Sequence, residues 1–280
     1  MPNGESLIQV SDLHYAYEDG TIALRGIDLE VGAEEFIAFI GQNGSGKTTL
    51  SKCLNGLFKP TSGSVIVRNL DTSTRGIVKQ LVTEVGYVFQ NPDHQLFNSS
   101  AWDEIAYGPR NIGLSKEEVE ERVREAAAVA GVHEDLFSEH PFFMHKGLRQ
   151  RVAIASILAL RPRTIIVDEP TTGQDRKQSL EIMDFLKGLR DEEGHTIIII
   201  THEMPIVAEY AERVVALCEG RVLLDGSTKE VFSQPDVLAE TFVHPPQIAR
   251  LGQLLSDVPM PPDVLTVAEM REIVRSRLNG

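Results

Sequence analysis

An α/β fold around a mainly parallel core sheet is expected for this chain on three grounds. Short apolar runs alternate with amphipathic helical stretches over most of its 280 residues, and such alternation lays parallel strands between layers of helices. One run, "EFIAFI", leads directly into a glycine-rich loop and then a helical stretch. Between about residues 91 and 160 the strand pattern gives way to a helical insertion. The length suits one large α/β domain with an appendage, or two modest domains.

The elements follow in order. "LIQVSDLHYAY" and "IDLEV" read as early strands, assigned to an antiparallel β subdomain. "EFIAFIG" is an apolar strand, and "KTTLSKCLNGLF" carries Leu50, Leu54 and Leu57 at helical spacing. "GSVIV" and "VGYVF" are short strands. In "SKEEVEERVREAAAVAG", Ser115 and Glu118 form a capping-box pattern, and the early acids suit the helix dipole. Its charge run reads as a solvated face. "RTIIVDEP" and "HTIIIITH" are buried-type strands flanking an amphipathic helix, "KQSLEIMDFLKGLRDEEG", that ends at Gly194. "MPIVAEYAE" is a short helix, and "RVVALCEGRVLLDG" is a hairpin turning at Glu219-Gly220. Beyond Phe242 prolines accumulate in "HPPQ" and "VPMPPD", and a helical tail, "TVAEMREIVRSRL", closes the chain. The expected division is a catalytic domain over 1–242 and a C-terminal extension over 243–280.

Composition narrows the function classes. Hydrophobic residues at 42% and charged residues at 24% are ordinary for a soluble globular protein. A net charge of -14 argues against nucleic acid as a partner, because phosphate contacts need a basic face. Two cysteines, Cys53 and Cys218, lie far apart without metal-type spacing, which points to packing roles in a reducing compartment. "MPNGESLIQV" lacks signal-peptide character, and the longest apolar runs are far too short to cross a bilayer.

The chemistry concentrates in a few places. "GQNGSGKTT", comprising Gly41, Gln42, Asn43, Gly44, Ser45, Gly46, Lys47, Thr48 and Thr49, fits G-x-x-x-x-G-K-[ST] between a strand and a helix. In that context glycine amides wrap a β-phosphate, Lys47 reaches the β- and γ-phosphates, and the Thr48 hydroxyl ligates Mg²⁺. The motif makes the fold a P-loop NTPase. Asp168 ends the strand "TIIVD", where open α/β sheets bind ligands, and is a second metal candidate. Glu169 follows and can polarise a water for attack on the γ-phosphate; alone, such an acidic pair often only caps a helix. His202 and Gln90 end strands that reach the same rim, Gln90 as a further contact to metal or water. Tyr17 can stack an adenine, although a strand-end tyrosine commonly packs instead. Finally, "HPFFMHKGLRQRVAIA" is a loop becoming a helix at Gly147, with Lys146, Arg149 and Arg151 around it: an anion-binding helix start.

In this order, "YAY", "GQNGSGKTT", "VFQNPDHQLF", "MHKGLRQR", "TIIVDEPTTGQD" and "IIIITHE" resemble the nucleotide-binding subunits of ABC transporters over about residues 5 to 235. The resemblance implies that Tyr17 is the adenine-stacking aromatic, Gln90 the Q-loop residue, Asp175 the D-loop residue and His202 the switch histidine. "GYVFQNPDHQLF", "TTGQD" and the proline-containing tail look most like the ATPases of energy-coupling-factor transporters, which import vitamins or transition-metal ions. Ala33 and Glu34 stand where relatives usually carry a glycine before Glu35, a departure taken as neutral.

One departure is larger. Met144, His145, Lys146, Gly147 and Leu148 align with the family's L-S-G-G-Q signature, which holds the γ-phosphate of ATP bound to the other subunit, and only the second glycine is unchanged. His145 brings an imidazole able to donate one hydrogen bond but needing more room. Lys146 either adds charge near a phosphate or points to water, and Leu148 removes a polar group. The resemblance thus implies a peripheral ATPase on the cytoplasmic face of the membrane, using ATP and Mg²⁺ and working with integral membrane subunits and a second ABC ATPase subunit. The altered signature is either a tolerated variant, since backbone amides do much of such phosphate binding, or a weakened one that favours a heterodimer over a homodimer. Asn91 to Phe97, with Asp93, His94 and Gln95 read as exposed and Asp93 as a charge contact, is expected to line a groove for a basic helix of the membrane subunit. Alternatives are a structural or regulatory ATP-binding partner subunit, or the ATPase of another ABC importer. A soluble ABC ATPase of translation or DNA repair fits poorly, for want of a second ATPase unit, a long coiled coil or a zinc-type cysteine cluster.

Overall fold

The computed structural model describes residues 6–255, 261 and 264–278. Two strands, β1 (Ser6–Ala16) and β2 (Ile22–Gly32), pair antiparallel before β3 (Phe36–Ile40) enters the core. Helix α1 (Lys47–Leu54) follows the glycine loop, and β4 (Ser62–Val67) returns to pair with β1, with β5 (Leu70–Asp71) beside it. A one-turn helix α2 (Val78–Leu81) leads to β6 (Val85–Val88). Three helices then come in succession, α3 (Ala101–Ile112), α4 (Lys116–Val129) and α5 (Lys146–Leu158). The chain returns through β7 (Thr164–Asp168), α6 (Arg176–Asp191), β8 (Thr196–Ile200), α7 (Met204–Tyr210) and the hairpin β9 (Arg213–Cys218) and β10 (Arg221–Ser227). Helices α8 (Thr228–Phe232), α9 (Pro235–Glu240), α10 (Gln247–Leu254) and α11 (Val267–Leu278) finish it.

The strands form two sheets. The antiparallel one runs β2-β1-β4-β5, and the core runs β10-β9-β3-β8-β7-β6, parallel throughout except for β10 at its edge. The continuous apolar runs of β3, β7 and β8 are explained by position, since every residue in them is buried. Side chains alternate between faces. Phe36, Ala38, Ile165, Val167, Ile197 and Ile199 meet the cluster that contains α3 to α6. Ile37, Phe39, Ile166, Ile198 and Ile200 meet the cluster built from the antiparallel sheet and α1. Five parallel strands therefore present their carboxyl ends along one rim, which sets the position of the functional loops.

Local chemistry accounts for the boundaries. Ser115 and Glu118 form the expected reciprocal capping box at the start of α4, and Glu219 and Gly220 take positive φ (47° and 79°) in the turn between β9 and β10. Two details differ from expectation, and one lies outside the described residues. Helix α1 stops at Leu54, because Gly56 turns left-handed (φ 76°) and closes the helix, so Leu57 lies outside it and is exposed. Glu34 adopts φ 58°, a conformation that glycine adopts freely and that costs another residue about 1 kcal/mol; the departure at this turn is not neutral. The "VPMPPD" segment lies, except for Pro261, within or beside the undescribed stretches. The tail that follows is joined to the preceding helices by the Lys229–Glu269 ion pair (3.3 Å). No helix among the described residues is long and apolar enough to cross a membrane.

Candidate nucleotide site

The loop after β3 is shaped by close backbone approaches. A Cβ on Gly41 would stand 2.2 Å from the Leu217 carbonyl oxygen, and one on Gly46 would stand 2.9 Å from that of Ala23. Both positions have φ above 100°, so only glycine passes there without strain. The loop wraps Lys47, whose Nζ donates to the carbonyls of Gly41 (2.8 Å) and Gln42 (2.9 Å). Burial lowers its pKa, opposed by the nearby Glu169 and Asp168 carboxylates. Ser45 is buried with its hydroxyl unpartnered.

The parallel register brings Asp168, at the end of β7, against this loop. Thr48 Oγ1 donates to Asp168 Oδ2 at 3.2 Å, and Tyr87 Oη donates to the same oxygen at 2.8 Å. Burial raises the Asp168 pKa, and these two hydrogen bonds counter the rise by favouring the carboxylate. Glu169 sits at φ 51°, its backbone N–H bonded to the Ile200 carbonyl (2.8 Å) at the end of β8. Its carboxylate is held at both oxygens, by Thr172 Oγ1 (3.2 Å) on Oε2 and by His202 Nδ1 (2.9 Å) on Oε1. Glu169 is mostly buried, whereas the His202 side chain is 66% exposed.

These groups face a cavity of about 510 Å³ whose walls include Tyr17, Gly44, Lys47, Thr48, Asp168 and Glu169, with Asn43, Gly46, Thr49 and Gln90 beside them. Tyr17 donates to or accepts from Thr49 Oγ1 (2.8 Å) and packs edgewise on Tyr15 and Phe58, leaving its ring 39% exposed at the rim. Tyr17 thus packs as a strand-end tyrosine does, and it also lines the cavity. Gly41, Gln42 and Ser45 do not line the cavity. His202 does not line the cavity either, and its tie to it is the hydrogen bond to Glu169. The hydroxyl of Thr48, the carboxylate of Asp168 and the amide of Gln90 supply hard oxygen donors on one wall, which suits Mg²⁺ held by one or two protein oxygens and substrate phosphates.

Tyr87 was missed by sequence reasoning. It lies in "VGYVF" as an ordinary strand tyrosine, and only the β6–β7 pairing, Tyr87 opposite Ile166, brings its hydroxyl to Asp168. A polar aromatic on the strand preceding Gln90 was its only signal.

The signature segment lies elsewhere, at the start of α5, and none of its residues lines the cavity. His145 is the N-cap, and its Nδ1 accepts the Leu148 backbone N–H at 3.3 Å. The imidazole thus works here as an acceptor, replacing the cap a serine hydroxyl provides. Lys146 Nζ donates to the Thr172 carbonyl at 2.6 Å, so the half-buried ammonium is held against a neighbouring loop of this chain. Met144 is buried, and Leu148 packs against the apolar core. Asp175 caps α6 by accepting the Gln178 N–H (2.9 Å). One expectation for the segment after Gln90 needs correction, the exposure of Gln95. Asp93 is exposed as expected, and its carboxylate pairs with Arg149 at 2.8 Å. Gln95 is half-buried, its amide donating to the Ala153 carbonyl and Ser156 Oγ. Sequence distance concealed both contacts.

A family model described as ABC transporter matches residues 24–172. The chain belongs to the ABC transporter family. A putative ABC transporter ATP-binding protein of Caldanaerobacter subterraneus subsp. tengcongensis is 50% identical over 252 residues, which is 90% of this chain but 44% of that longer protein. The energy-coupling factor transporter ATP-binding protein EcfA2 of the same organism is 39% identical, with 98% of each chain covered. Among solved structures, CbiO1 from Clostridium perfringens, part of the ABC transporter complex CbiONQ, is 37% identical with a TM-score of 0.75, covering 90% of this chain and 99% of that one. The ATP-binding cassette MJ0796, solved as a dimer in a post-hydrolysis state with ADP and Pi, is 29% identical with a TM-score of 0.71, covering 79% of this chain and 98% of that one. This ABC ATPase thus has its likeness in the energy-coupling-factor branch.

Proposed function

We propose that this ABC ATPase is the ATP-hydrolysing, peripheral subunit that powers an energy-coupling-factor importer of a vitamin or a transition-metal ion, on the cytoplasmic face of the membrane. The observation that carries the reading is the convergence of Lys47, Thr48, Asp168 and Glu169 on one cavity, with His202 fastened to Glu169. The likeness to EcfA2 supports the class of transporter, and that to CbiO1 of the CbiONQ complex supports partnership with membrane subunits.

In the mechanism, the loop amides from Gly44 onward and Lys47 hold the β- and γ-phosphates, and Tyr17 supports the adenine. Mg²⁺, when bound between Thr48, Asp168 and Gln90, supplies neutralisation of charge on the phosphate oxygens. Glu169 accepts a proton from the attacking water as its oxygen bonds to the γ-phosphorus and the bond to the β-phosphate oxygen breaks, releasing ADP and phosphate. His202 and Thr172 keep that carboxylate aimed. Met144 to Leu148 serve the ATP of a second ABC ATPase subunit.

Glu169→Gln tests the reading. It should leave ATP binding intact, lower turnover by about 10²–10⁴ as expected for a lost general base, and trap an ATP-bound dimer. Near-normal hydrolysis by this variant would remove Glu169 from the role.

Docking of a membrane subunit is supported by an apolar groove of about 520 Å³ between α2, the segment after Gln90, α3 and α5, with Val82, Phe97, Tyr107 and Ile157 in its walls. A helix of the membrane subunit laid there would press on Gln95 and Phe97, and so on the chain leading back to Gln90.

A further inference from the structure

Lys146 replaces the first signature glycine of the family pattern, and its ammonium crosses to another loop of the same chain. Nζ donates to the Thr172 carbonyl at 2.6 Å. The approach depends on Gly173, which is left-handed (φ 73°) and whose Cβ, if present, would stand 2.6 Å from Nζ. Thr172 is also the residue whose hydroxyl donates to Glu169 Oε2. One residue therefore touches both the signature, which serves the second subunit's ATP, and the carboxylate that serves this chain's own ATP.

Resting on the proposed role of the chain as half of an ATP-sandwich dimer, we infer that Lys146 is a positioning residue linking the two ATP sites. It does so by tying the signature helix to the loop that aims Glu169. Its ammonium has three donors, one of them used on Thr172, and the start of α5 is where the second subunit's γ-phosphate would sit. A phosphate there draws on the same ammonium, and the pull passes through Thr172 to the carboxylate. Small shifts suffice, because misplacing a reacting group by about 1 Å can cost roughly 10²-fold.

The test separates the sites. In the purified dimer, the second subunit carries Gln in place of its own catalytic glutamate, so turnover is confined to this chain's site, whose signature comes from the second subunit and is intact. Lys146→Met in this chain should then lower kcat about tenfold with KM for ATP unchanged, while Lys146→Arg retains most of the activity. Thr172→Val, which keeps the carbonyl but removes the hydroxyl donor, should give a similar loss, and the double variant little more than either alone. Unchanged kcat in Lys146→Met overturns the link. So does a loss that appears only as a raised KM, or as failure to form the dimer, since either marks a merely structural lysine. Absence of ATP hydrolysis by the unmodified dimer would instead overturn the proposed function itself.

Discussion

Asp168 shows how single contacts set the working range of the site. Burial raises its pKa, while donors on Tyr87 and Thr48 stabilise the ionised form. The charged form is the one able to hold a metal. Tyr87→Phe removes the 2.8 Å donor and leaves the carboxylate equally buried, so its pKa should rise further. The acid limb of the ATPase pH profile should accordingly move to higher pH, with the rate at the alkaline plateau little changed and a stability loss of about 1 kcal/mol. Profiles of the two proteins measured side by side check this. An acid limb that stays in place would show that Asp168 is not the group limiting activity at low pH. Nothing in a strand pattern tells which tyrosine will face a carboxylate on the next strand, so this residue was illegible until the register of β6 on β7 was known.

At the level of elements, legibility followed the range of the physics. Apolar runs that are buried on both faces, the Ser115–Glu118 capping box, and the Glu219-Gly220 turn all depend on neighbours within a few residues, and all could be read directly. The P-loop was legible for the same reason. Contacts that need the chain to fold back were not: Asp93 with Arg149, Gln95 with α5, and Lys146 with Thr172. Within the same segment, Phe97 is the residue on which docking at the apolar groove can be tested. Phe97 is 63% exposed and stacks edge-on against Tyr107 at 4.8 Å, forming part of the groove between α2, α3 and α5. The backbone N–H groups of Phe97 and Asn98 are fixed by Glu104 Oε2 (2.9 and 2.7 Å), which keeps this turn folded whatever side chain residue 97 carries. Phe97→Asp should therefore abolish co-purification with the membrane subunits while basal ATPase activity stays within about twofold, because a charge in an apolar groove is left without a partner on docking. Loss of both together would indicate a folding defect and count against the groove as the docking site.

At the scale of the whole molecule, the cavity and the start of α5 differ in how closely they follow the family pattern. The cavity side carries a full set of groups from Tyr17 to His202, whereas the start of α5 retains its helix, its cap and Gly147 but has an imidazole over that glycine and an apolar side chain at position 148. In a sandwich dimer each site combines one subunit's P-loop with the other's signature. Two copies of this chain would pair two good P-loops with two altered signatures; a second ABC ATPase subunit with an unaltered signature would complete this chain's own site. Losing one donor to a developing charge costs about 10²–10³ in rate. We therefore expect the chain purified alone to hydrolyse ATP slowly, and addition of such a subunit to raise turnover by at least one order of magnitude. His145→Ser with Leu148→Gln, introduced together, should raise the rate of the chain alone; a hydroxyl takes over the cap to the backbone amide of residue 148, while the lost packing of Leu148 should lower the melting temperature slightly. Brisk hydrolysis by the unmodified chain alone, unimproved by the double substitution, would show that backbone amides at the start of α5 suffice and that the chain works as a homodimer.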